Sequence, residues 1–110
     1  MKQGDIVLIP FPFTNQQGAV RRPALIVSGS LLNNTQDVML VQITSNNRKD
    51  SFSIPIDSQT DLTVPLNQIS EIRCNKILIA EKSIIIKSIS SVKSNIVNKV
   101  VAKINDILQP

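Results

Sequence analysis

Gly4-Asp5-Ile6-Val7-Leu8-Ile9-Pro10-Phe11-Pro12-Phe13, followed after a polar stretch by Arg21-Arg22-Pro23-Ala24-Leu25-Ile26-Val27-Ser28, sets the character of this chain. Asp5 to Ile9 is an apolar, β-rich run and reads as a strand. Pro10 and Pro12 have no N–H to give a ladder, so the strand ends there or becomes an edge. Thr14 to Arg21, with Asn15, Gln16, Gln17 and Gly18, has the turn chemistry of a mobile surface loop. Ala24 to Ser28 is continuously apolar up to its last residue and reads as a second strand buried on both faces. The stretch therefore delivers two arginines where a loop meets a rigid strand, a good position from which to hold a phosphate.

Working outward, Val38 to Thr44 is the strongest further strand. Met39, Val41 and Ile43 form one wholly apolar set, expected to face the core, which leaves Gln42 and Thr44 on the opposite face. Leu31 to Asp37 reads as an Asn-rich turn and Ser45 to Ser51 as a partly basic loop. Phe52 to Ile56 is a short strand interrupted by Pro55, and Gln59 to Asp61 is a turn. Gln68 to Cys74 and Lys76 to Ala80 are two more strands. Ile69 and Ile72 stand three apart in the first, which suggests a bulge or twist. Ser83 to Lys87 fits a strand or a short helical turn. Ile96, Val97, Val100, Val101, Ile104, Ile107 and Leu108 recur at helical spacing, so the chain closes with an amphipathic helix, capped by Ser94 or an earlier serine. Short strands at regular spacing followed by one helix indicate a mainly β fold, a small, strongly bent sheet or barrel.

A chain of 110 residues with 42% apolar content suits one domain with a modest core. No apolar run approaches the roughly 18 residues of a membrane span, and the start of the chain has no signal-peptide pattern. A cytoplasmic protein without membrane association is the expectation. The net charge of +4 tilts towards a polyanionic partner, against the plainer reading of a solvated basic surface. Aromatic residues are few: Phe11, Phe13 and Phe52. Any RNA would be gripped chiefly through phosphate and shape, with Phe52 either a stacking platform or a core residue.

The sequence has one cysteine and no histidine, which removes the Cys/His and Ser/His/Asp nucleophile arrangements and the soft ligands of a zinc site. Cys74 reads as structural. Three glycines make no phosphate loop, and eight scattered acids suggest no two-metal centre, so neither metal nor cofactor is expected. Arginine chemistry remains. Guanidinium groups match phosphate bidentately and offset charge developing on it. Cleavage of RNA needs no metal when the 2′-hydroxyl is the nucleophile. The plainer alternative for Arg22 and Arg73 is a surface salt bridge.

Gly4-Asp5-Ile6-Val7-Leu8, Arg22-Pro23-Ala24-Leu25-Ile26-Val27, Gln42-Ile43-Thr44-Ser45 and Ser70-Glu71-Ile72-Arg73-Cys74-Asn75-Lys76-Ile77, in that order along nearly the whole chain, resemble the MazF/PemK toxin family. The resemblance implies a single domain over 1–110: an SH3-like β-barrel over about 3–90 and a helix over about 92–108. It implies a homodimer and a cognate antitoxin. It also implies a metal-independent, sequence-selective endoribonuclease that cuts single-stranded RNA, chiefly mRNA, to 2′,3′-cyclic phosphate and 5′-hydroxyl ends. The family's catalytic arginine before proline falls on Arg22, and its strand-end threonine on Thr44, with Ser45 beside it. Arg73 matches the arginine of the PemK branch's Arg-x-Asp. The aspartate position holds Asn75, and an amide cannot serve as a general base. Either Arg22 and Thr44 carry the reaction, or Glu71 substitutes, or catalysis is weakened. On this reading Arg22, Thr44 and Arg73 are catalytic. Arg21, Ser45, Arg48, Lys49, Phe52, Glu71 and Asn75 bind substrate. Two other functions stay open: a catalytically inactive RNA- or protein-binding barrel, and a gyrase inhibitor of the same fold. The relative of the latter kind carries a tryptophan in its C-terminal tail, which this chain lacks.

Overall fold

In a computed structural model of the chain, residues 1–11 and 20–110 are described. The expected mobile loop from Thr14 onward lies outside the described residues, apart from its last two members, Val20 and Arg21, which are the first residues of a strand instead.

Six strands form one antiparallel sheet: β1 (Asp5–Phe11), β2 (Val20–Ile26), β3 (Asp37–Thr44), β4 (Ser53–Ile56), β5 (Ser70–Glu81) and β6 (Lys87–Ser91). Their order is β4-β5-β3-β2-β1-β6. The short helix α1 (Ser30–Asn33) links β2 to β3, a 3-10 turn covers Lys82–Ile84, and α2 (Ser94–Leu108) ends the chain. Gly4, immediately before β1, is in the left-handed region (φ +95), its N–H donating to the Ile26 carbonyl at 2.8 Å. A side chain there would meet the backbone penalty as well as Val97 Cγ2 at 3.3 Å.

The sheet curls because the segment after β4 reaches its far edge. Leu62 pairs with Val92, the Thr63 N–H donates to the Ser91 carbonyl at 2.9 Å, and the Val64 N–H donates to Ser90 Oγ at 3.0 Å. This closure gives a half-barrel with a core on each face. The larger core joins Ile6, Leu25, Val41, Ile43, Ile72 and Cys74 to Ile96, Val97 and Val100 of α2. The smaller one, on the other face, joins Val7, Ile9, Ala24, Ile26, Val38, Leu40 and Ala80. Val38 and Leu40 are as inaccessible as Val41. The apolar face expected of β3 is therefore buried, and its other face is buried too along the first half, becoming polar only at Gln42 and Thr44.

Several boundaries differ from the expectation, each for a physical reason. β1 runs through Pro10 to Phe11; β6 pairs only with Asp5 to Leu8, so Pro10 sits where that side of β1 is an open edge. Pro55 is tolerated likewise on the edge strand β4. The two strands expected between Gln68 and Ala80 are one 12-residue strand, β5. The bulge lies later than Ile69 and Ile72 suggested: Val41 pairs with Ile77 but Gln42 with Arg73, so Cys74, Asn75 and Lys76 are extra residues. Of the two readings of Ser83 to Lys87, the short helical turn is the one found, over Lys82–Ile84, and β6 begins only at Lys87. No serine caps α2; the capping position is Lys93, without a side-chain bond, and Ser94 is the first helical residue.

Candidate functional site

The pairing register decides which side chains share a face, because residues directly opposite in antiparallel strands point the same way and successive residues alternate. Ala24 of β2 stands opposite Gln42 of β3, which stands opposite Arg73 of β5. Arg22 lies two residues from Ala24, and Thr44 two from Gln42. Arg22, Thr44 and Arg73 thus occupy one face at the same end of three adjacent strands. At about 4.8 Å per strand, the span from β2 to β5 is roughly 10 Å. Beneath them the same face continues into the smaller core, which holds that end of the sheet rigid.

Each group has a defined setting. Arg22 is exposed, its Cζ 5.5 Å from the centroid of the Phe11 ring, which shares that face two residues beyond Arg22's partner Ile9. A cation–π contact of this kind at an exposed site is worth about 0.5–1 kcal/mol and orients the guanidinium without neutralising it. Thr44 is half-buried at the end of β3, and its Oγ1 accepts the Asn46 N–H at 3.0 Å, leaving its own proton to donate. Arg73 is half-buried, with Nε shielded from solvent and without a hydrogen-bond partner. Asp50, which takes hydrogen bonds from Ser53 Oγ and the Phe52 N–H, is held below its ordinary carboxyl value chiefly by the Ser53 bond, with Arg73's charge a lesser cause.

The other candidates divide into three groups. Arg21, alternating with Arg22, points to the opposite face and with Ser45 lines a cleft of about 350 Å³ that opens where β2 and β3 stop pairing. Arg22 reaches this cleft as well, but Thr44 and Arg73 are not among its walls. Asn67, Gln68 and Ser70 complete its polar lining. Asn67 and Gln68 had no distinguishing sequence signal, since two amides in a loop carry no periodicity; only the fold brings them to the arginines. Arg48 and Lys49 are exposed, as is Phe52 at 40%, so Phe52 is not a core residue. Asn75 is exposed within the bulge, outside the strict alternation that would have put it beside Arg73.

Glu71 is the group whose surroundings differ most from a free catalytic acid. It is 4% exposed, and opposite Thr44. One carboxylate oxygen accepts the Arg48 N–H at 2.6 Å, and both accept the Lys49 N–H at 3.2 Å. Cys74 is 0% exposed, and burial pushes its thiol up to about 11, against a smaller opposing pull from Lys103. The described residues contain no group of three or more Cys, Asp or Glu placed to hold a metal ion.

Solved structures share this architecture across the whole chain. A MazE–MazF complex from Deinococcus radiodurans superposes with a TM-score of 0.80 at 20% identity, covering 98% of this chain and 95% of that one. An endoribonuclease in complex with its cognate antitoxin, from a mycobacterial species, gives 0.75 at 21% identity, covering 100% and 99%. Mycobacterium tuberculosis toxin MazF-mt6 gives 0.73 at 17% identity, covering 93% of each. The fold is thus the curled half-barrel with a C-terminal helix seen in MazF structures. No curated protein matches the chain by sequence. A family model does: that of the PemK-like, MazF-like toxin of type II toxin–antitoxin systems, over residues 2–108, and the chain belongs to this family.

Proposed function

We propose that this chain is the toxin of a type II toxin–antitoxin pair and acts as a sequence-selective endoribonuclease on single-stranded RNA, mRNA above all. The observation that carries the proposal is the register placing Arg22, Thr44 and Arg73 on one face of three neighbouring strands. In the reaction the ribose 2′-oxygen attacks the adjacent phosphorus, the bond to the 5′-oxygen breaks, and a 2′,3′-cyclic phosphate and a 5′-hydroxyl result. The proton leaving the 2′-hydroxyl passes to a non-bridging phosphate oxygen and from there to the leaving 5′-oxygen, so the step balances without water or a protein base. Arg22 stabilises the charge on the non-bridging oxygens and donates a hydrogen bond towards the leaving oxygen. Thr44 donates from its hydroxyl to the phosphate or the 2′-oxygen, and Arg73 supplies a second cation. Arg21, Ser45, Arg48 and Lys49 hold flanking phosphates, Phe52 offers a surface for a base, and Asn75 offers hydrogen bonds only.

The neighbours solved with antitoxins motivate the partner: a cognate antitoxin that covers the RNA-binding face. A homodimer in the cytoplasm is the proposed working form. No described helix is long and apolar enough to cross a membrane. The test is a long RNA incubated with purified protein in EDTA, with new ends mapped. Discrete cuts with 5′-hydroxyl ends, lost in Arg22→Ala, are expected. RNA retention without cleavage would instead favour the inactive binding barrel, and inhibited DNA gyrase without an RNA effect the gyrase reading.

A further inference from the structure

We infer that Glu71 is a positioning residue: its buried carboxylate latches the Asn46–Asp50 loop so that Arg48 and Lys49 face outward as a preset grip on RNA phosphates. The inference deepens the ribonuclease reading and rests on it for the RNA part, though the latch itself does not. A carboxylate is almost never this deeply buried without partners, and here the partners are backbone donors of the loop. The acceptor stands on β5, 22 and 23 residues away in sequence, between Thr44 of β3 and Pro55 of β4. The loop is thus tied to the strand that carries Arg73, two residues along.

Three further features agree. Lys49 sits at φ 55, a left-handed conformation that a residue with a Cβ adopts only at a cost and that something must hold. The carboxylate's bonds to the two amides are what hold it. The two ends of the loop are fixed independently, by Thr44 Oγ1 on the Asn46 N–H and by Asp50 on Phe52 and Ser53. Asn47 Nδ2 adds a bond to the Ile69 carbonyl at 3.3 Å, but only Glu71 takes the Arg48 and Lys49 amides, so without it these two residues lose their own hold on β5. Buried and engaged by both loop amides, the carboxylate faces the loop, which separates this role from the catalytic substitution for the missing aspartate.

The test compares wild type with Glu71→Gln, Glu71→Ala and an Arg48→Ala/Lys49→Ala pair. Amide hydrogen exchange is read first, without RNA. The Arg48 and Lys49 amides should be protected in wild type and exchange at least tenfold faster in Glu71→Ala while the β3 and β5 amides stay protected. Unprotected wild-type amides would overturn the latch whatever the RNA results. Single-turnover cleavage is read next. Glu71→Ala and the paired variant should weaken RNA binding by a similar factor with the rate at saturating enzyme retained within about threefold. Each should flatten the dependence of log K on log[salt] by about 1.4, the value for two single-strand phosphate contacts. Adding Glu71→Ala to the pair should weaken binding no further. Glu71→Gln, whose one amide oxygen can still accept from both loop N–H groups but carries no charge, should fall between wild type and Glu71→Ala in exchange and in binding. Loss of the saturated rate in Glu71→Gln with binding unchanged would make Glu71 part of the chemistry and overturn the proposal. A wild type that neither binds nor cuts RNA, yet protects the two amides, would remove the nuclease reading and leave the latch standing.

Discussion

At the residue scale, Arg22 and Cys74 mark the two extremes of what burial does to a reactive group. Arg22 stands exposed at the surface, oriented by the Phe11 ring. Replacement by lysine keeps the charge but loses the planar fork and the stacking. Arg22→Lys should therefore cleave RNA at least tenfold more slowly in single-turnover assays, with an unchanged unfolding midpoint. Cys74 is enclosed between the sheet and α2, and its thiol is pushed up to about 11 from 9.0. The folded state favours the protonated thiol, so this contribution to stability is fully present below pH 9 and is lost as pH rises towards 11. Native protein at pH 8 should leave Cys74 unmodified by a thiol reagent for hours, while unfolded protein reacts with one equivalent at once; stoichiometric labelling of the native chain would contradict the packing described.

At the element scale, α2 stabilises the fold through one stripe. Ile96, 2% exposed, packs into the larger core, whereas Leu108 is 71% exposed. Ile96→Ala should cost about 2–5 kcal/mol in denaturant unfolding and Leu108→Ala nearly nothing. This helix was legible in the sequence because its apolar residues keep a local 3.6-residue period, and so were β1, β3 and the apolar part of β2, whose runs are bounded by proline or polar residues. The β5 bulge was not legible: Ile72, Cys74, Ile77 and Ile79 show alternation with a slip, and only pairing with Val41 and Gln42 locates the three extra residues. The strand-end arginines could be read from their place beside Pro23 and in the Ser70 to Ile77 segment. Their common face depends on register across three strands, and the grip of Glu71 on the Arg48 and Lys49 amides depends on a contact between distant segments that no local pattern encodes.

At the scale of the whole molecule, twelve basic against eight acidic side chains give a net charge of +4, so the proposed binding of RNA should weaken as salt rises. Several apolar side chains remain open to solvent on β5 and around β6, among them Ile77, Ile79 and Ile86 at 39, 55 and 41%. A protein acting as a homodimer should lose specific activity on dilution below its dissociation constant, in step with a fall to the mass of one chain in sedimentation. Constant specific activity in a chain that sediments as a monomer would assign the whole site to a single copy. The central claim, that the arginine-bearing face activates the substrate's own 2′-hydroxyl, is tested most directly with a short RNA carrying one 2′-deoxynucleotide immediately 5′ of a mapped cut. The account expects this oligonucleotide to bind as tightly as its all-ribose counterpart and to remain intact at that bond. Cleavage there at a comparable rate would contradict it, since the bond would then be broken by a nucleophile other than the proposed 2′-hydroxyl.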